Sequence, residues 1–72
     1  MGHPEYTVVI SALAPEDGGG FLAIVPDLPG CMSDGDTRTE AARNVDGAIQ
    51  AWIDEARRLG RPIPEPMEPA AA

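Results

Sequence analysis

The chain contains no lysine, and none of its five arginines stands before Arg38. Such a surface has little with which to neutralise phosphates, so nucleic-acid binding by the chain alone is not expected, and anionic lipid is repelled too. There is one cysteine, which excludes an internal disulfide framework and suits a reducing cytosol. No apolar run is long enough to cross a bilayer, and no basic segment leads into an apolar one as in a signal peptide. One histidine is present, His3 near the N-terminus, so Cys31 has no evident base to make it a nucleophile. The expectation is a single soluble, cytoplasmic domain, near the lower size at which one core holds itself together.

What charge there is lies unevenly. Glu5, Glu16, Asp17, Asp27, Asp34 and Asp36 give the first half, through Thr37, a formal −6 of the total of −7. A small acidic protein needs no partner to explain its charge, since solubility accounts for it. If there is a partner, it is a basic one.

The most informative run is Val25-Pro26-Asp27-Leu28-Pro29-Gly30-Cys31, followed by Asp34-Gly35-Asp36-Thr37 and then Glu40-Ala41. Two prolines fix φ and remove two backbone donors, so a strand cannot continue through them. Gly30 is suited to positive φ where the chain turns back. Asp34-Gly35-Asp36 reads as a second tight turn. Before the first turn, Tyr6 to Leu13 predicts a strand rich in β-branched residues, Pro15 to Gly20 a loop, and Phe21 to Val25 a second strand; after it, Cys31-Met32-Ser33 predicts a short third.

Thr37-Arg38-Thr39-Glu40 has the spacing of a capping box. Ala41, Val45, Ala48, Ile49, Trp52, Ile53, Ala56 and Leu59 then recur at helical spacing, Arg57 and Arg58 suit the negative end of the helix dipole, and Gly60 suits its termination. Gly47, in mid-helix, is expected to admit a neighbouring backbone. Residues 61–66 are too proline-dense for an interior strand and predict an extended edge or polyproline segment; residues 67–72 read as a disordered tail. Both sheet faces carry apolar residues and one helix covers only one of them, so the other is expected to meet a second copy or a partner. The fold class is α+β, a small two-layer β-β-β-α domain over residues 1–66 with an extended proline-rich C-terminal segment.

The N-terminal aromatic strand at Tyr6, Pro26-Asp27-Leu28-Pro29-Gly30-Cys31, Asp34-Gly35-Asp36-Thr37, Glu40-Ala41, Asn44, Ala48-Ile49, Trp52 and Ile63-Pro64-Glu65-Pro66 resemble, in this order, the HicB-like antitoxins, which pair with HicA-type mRNA-cleaving toxins. The resemblance implies a truncated ribonuclease-H-like fold with a possible last strand, a homodimer or higher homo-oligomer, and a role in masking the toxin. Many family members add a C-terminal DNA-binding module. Only twelve residues follow Gly60 here, four of them proline, so no such module is expected and direct operator binding is not expected either.

Two-metal hydrolysis needs several converging carboxylates, whereas Asp27, Asp34 and Asp36 read as turn and cap residues, and Asp34-Gly35-Asp36 lacks the ligand series of a calcium loop. Cys31 reads as a small apolar side chain, and Trp52 with Ile53 as core. The expectation is therefore a non-enzymatic antitoxin without cofactor or metal. Its partner is a basic HicA-type toxin, bound through Pro26, Asp27, Leu28, Pro29, Gly30, Asp34 and Asp36 with the adjoining sheet. A small metal-dependent nuclease or hydrolase using Asp27, Asp34 and Asp36, or an orphan oligomeric binding domain, is the alternative.

Overall fold

A computed structural model of the chain describes residues 6–66. Strand β1 (Val9–Ala12), strand β2 (Phe21–Ile24) and strand β3 (Met32–Gly35) form an antiparallel sheet in that order, and helix α1 (Arg38–Arg58) follows. The fold is α+β, as expected. Ile10, Ala23 and Ser33 lie opposite one another on the face toward α1, while Val9, Ile24 and Met32 line up on the open face.

α1 forms because its apolar positions fall on one stripe and its ends are closed. The Thr37 hydroxyl accepts from the Glu40 N–H at 3.0 Å, a cap that contributes about 1 kcal/mol. The Glu40 carboxylate reaches one residue beyond the usual capping box, accepting from the Asp36 N–H. At the other end Gly60, at φ 70°, lets its own N–H reach the Arg57 carbonyl and the Arg61 N–H reach that of Ala56. Ala41, Val45, Ile49 and Ile53 are buried against Ala23, Val25 and Cys31 of the sheet side, and Ala56 is buried further along the helix. Full burial of side chains such as Val45 or Ile49 stabilises by about 1.5–3 kcal/mol each.

Three expectations are corrected. β1 begins at Val9 rather than Tyr6, because Pro26 ends β2 with no N–H to offer and the first residues of the predicted strand have nothing to pair with. Asp34 and Gly35 are not a tight turn: they lie in β3, opposite Leu22 and Phe21. Gly35 is there because the start of α1 sits on it. A Cβ at this position would lie 2.5 Å from the Ala41 nitrogen and 2.8 Å from the Glu40 carbonyl carbon. Gly47, by contrast, admits no neighbouring backbone; nothing lies within 4 Å of where its Cβ would be, and nothing in the fold explains it.

Residues 61–66 form neither strand nor helix. They are held by Ile63 against the core and by the Tyr6 hydroxyl, which donates to the Pro64 carbonyl at 2.6 Å. The tail assigned to residues 67–72 lies outside the described residues, as do the first five residues of the domain assigned to 1–66. Among the described residues no helix is long and apolar enough to cross a membrane.

The two glycines therefore predict opposite signs. Gly47→Ala should stabilise the domain by about 0.5–1 kcal/mol, the propensity difference in an exposed helix interior. Gly35→Ala should destabilise it by at least about 2 kcal/mol through the clash with the helix backbone. Urea unfolding of both variants checks this; destabilisation by Gly47→Ala would mean that helix position is occupied.

Candidate functional site

The proline connection between β2 and β3 is two turns in succession. The Leu28 N–H donates to the Val25 carbonyl at 3.1 Å, and the Cys31 N–H to the Leu28 carbonyl at 2.9 Å. Pro26 and Pro29 each occupy the second position of a turn, where a fixed φ is an advantage. Gly30 follows at φ 80°, the conformation a type II turn requires at its third position. The Val25 N–H closes the loop on the Cys31 carbonyl at 3.0 Å. Helix α1 clamps the turn from outside, the Trp52 indole N–H donating to the Pro29 carbonyl at 2.9 Å.

This geometry sorts the expected site residues. Pro26, Pro29 and Gly30 are exposed and present a rigid surface, and Asp27 is half-buried beside Tyr6. Leu28 points the other way: at 0% exposure it is among the most buried side chains of the chain and serves the core. Cys31 is buried too, and burial pushes its thiol above the ordinary range, which makes it a poor nucleophile and a good packing group.

Asp34 and Asp36 lie at the opposite end of β3, roughly 10 Å away at about 3.3 Å per residue. The expected site is thus not one cluster but two ends of a sheet. Both aspartate side chains are exposed, and their backbones do the structural work: the Asp34 carbonyl accepts from the Asn44 amide at 2.8 Å, and the Asp36 N–H donates to Glu40. The loop between β1 and β2 reaches the same end. Ala12, Phe21 and Gly35 align across the sheet, and Gly20 abuts the Gly35 carbonyl so closely that a Cβ would stand 2.7 Å from it.

Glu16 and Asp17, in a 3-10 turn over Pro15–Asp17, stand in the loop that emerges at the end of the sheet carrying Asp34 and Asp36. They read as ordinary loop residues in the sequence; only strand register brings them there. Arg38 opens α1 at this end, and its guanidinium lies over the Phe21 ring, 5.0 Å from the centroid. Among the described residues no three His, Cys, Asp or Glu side chains are grouped as metal ligands, and the strand's length separates Asp27 from Asp34 and Asp36.

A groove of about 550 Å³ runs between the proline turn and the C-terminal half of α1, with Trp52, Ala48, Ala51 and Ala56 along the helix side and Pro29, Gly30 and Met32 along the other. Trp52 was expected in the core; it is half-buried, packing against the core with one part and lining this groove with another.

The family model for the HicB-like antitoxin of bacterial toxin–antitoxin systems matches residues 6–71. The chain belongs to the HicB-like antitoxin family. This HicB-like chain is similar to a UPF0150 protein of Thermoplasma acidophilum, 37% identical over 60 residues covering 83% of each chain. It is also similar to a UPF0150 protein of Synechocystis, 40% identical over 60 residues, 83% of this chain and 72% of that one, and to one of Helicobacter pylori, 38% identical over 48 residues, 67% of each. No solved structure matches it significantly.

Tyr6 gives this end of the HicB-like chain a testable pH dependence. Its phenol is held above the ordinary value of 10.0, first by burial, then by the carboxylates of Glu65 and Asp27. The folded state keeps this proton more tightly than the unfolded one, so the contribution is fully present below the unfolded value and is lost as pH rises above it. Tyr6→Phe should cost about 1 kcal/mol at neutral pH, where Pro64 loses its donor. The gap between wild type and variant should shrink as the pH is raised from about 8 to about 11, a range spanning the ordinary tyrosine value. Denaturant unfolding across that range checks it, and a constant gap would show that Tyr6 titrates as a free phenol.

Proposed function

We propose that this chain is an antitoxin that binds a basic, HicA-type mRNA-cleaving toxin and covers its RNA-binding and catalytic surface. Family membership supports the antitoxin role. The observation that carries the mode of binding is the set of exposed carboxylates of Asp34, Asp36 and Glu40 at one end of the sheet, with Glu16 and Asp17 exposed in the loop that reaches the same end. A nuclease acting on RNA must present cations to a phosphate chain, and a fixed array of carboxylates competes for the same cations while the protein body excludes the substrate. The exposed prolines and Gly30 supply a rigid second contact at the other end, with little conformational entropy to lose.

In this reading the fold is a truncated ribonuclease-H-like sheet and helix without hydrolytic chemistry, and the chain works in the cytoplasm as a homodimer or higher oligomer without contacting nucleic acid itself. The nuclease alternative is disfavoured by the separation of Asp27 from Asp34 and Asp36 along β3.

Reversing Asp34 and Asp36 to lysine tests the electrostatic part. Their backbone atoms, not their carboxylates, make the hydrogen bonds described above, so circular dichroism should show a folded variant. Association with a basic HicA-type toxin should slow by about tenfold or more at low salt, with a smaller deficit at high salt. Rescue from the toxin's growth arrest should weaken in parallel. A folded double variant that binds and rescues like wild type would remove the acidic end from the interface, and failure of wild type to bind at all would favour an orphan binding domain.

A further inference from the structure

The groove beside the proline turn has a different character from the acidic end. Its rim carries one acid and one base, Glu55 and Arg61, and Glu55 is already paired with Arg58. It is thus close to neutral in a chain of net charge −7. A basic partner finds nothing here to draw it, whereas a second, equally acidic copy meets the least repulsion here.

The groove also holds both halves of a self-complementary contact. Its helix wall is kept low by the small side chain of Ala51 and backed by Trp52, while Leu59 stands at its margin, 47% exposed. Leu59 is one of three large apolar side chains exposed among the described residues; the other two, Val9 and Met32, share one row on the open sheet face. An exposed knob beside an unfilled hole on one patch is what a two-fold interface between identical surfaces requires.

We infer that this groove is the seam of a two-fold homodimer, in which Leu59 of each copy seats in the groove of the other. The inference rests on the reading of the chain as an oligomer and locates the seam. The acidic ends, at the far side of each sheet from the proline turn, then stay free for a basic partner.

Light scattering and sedimentation of the full chain over a dilution series test it. Wild type should be dimeric at high concentration, with Trp52 fluorescence changing as the dimer dissociates. Ala51→Arg fills the hole and Leu59→Arg replaces a knob by a charge repeated across the two-fold; both are exposed helix-end or helix-surface positions compatible with folding. Each should weaken dimerisation by at least about tenfold, while binding to a basic HicA-type toxin persists. Val9→Asp, on the open sheet face, should leave the dimer intact. Folded Ala51→Arg and Leu59→Arg variants that dimerise like wild type, or a dimer lost only with Val9→Asp, would overturn the seam while leaving oligomerisation standing. A wild type that stays monomeric at every concentration would overturn both.

Discussion

The close seating of α1 on the sheet is the constraint on which the other features depend. It is possible because the contact is built from residues with little bulk: Ala23 and Ala41 are fully buried, and Gly35 has no Cβ at all where the first turn of α1 crosses β3. Close approach lets a single helix cover one sheet face and leaves the interior to Val25, Leu28, Val45 and Ile49, which water does not reach. A domain this small has no second layer to compensate for a gap, so a side chain inserted at the junction would be felt throughout the core.

The sequence made the helix and the proline turn legible because their signals are local. A cap at Thr37, an apolar stripe at helical spacing and a terminating Gly60 each act within a few residues of where they stand. Pro26, Pro29 and Gly30 likewise dictate their turns without help from elsewhere. Where the reading failed, the deciding partner was distant in sequence. Asp34-Gly35 has the composition of a turn, yet cross-strand pairing with Leu22 and Phe21 holds it in β3. Gly35 answers to the helix backbone, and a glycine's reason for being small cannot be read from its neighbours in the chain. At Gly47 the same argument about close approach predicted a contact that the fold does not contain.

The expected site was legible as a set of residues but not as a place. Composition put Asp27 beside the prolines and Asp34 with Asp36 a few positions on, and proximity in sequence suggested one surface. An intervening extended strand turns that short separation into opposite ends of a sheet. Glu16 and Asp17, far more distant in sequence, lie in the hairpin loop that emerges at the same end. Leu28 shows the reverse case, since it sits between exposed prolines and is itself the most enclosed part of the turn.

That enclosure has a consequence for how the molecule opens. By composition the segment from Pro26 to Cys31 looks like a surface loop that a protease could take from a native protein. Yet its middle residue is locked in the core and its backbone is closed by three hydrogen bonds, with a fourth from Trp52. Exposing this peptide to a cleaving enzyme requires withdrawing Leu28, which empties the centre of the only core described here, so opening there is coupled to global unfolding. Residues 62–66, held by one hydroxyl and one isoleucine, can detach alone. The chain is thus divided into a body that unfolds as a unit and a strap that releases locally, and the lifetime of the body in a proteolytic environment is set by its global stability rather than by loop accessibility.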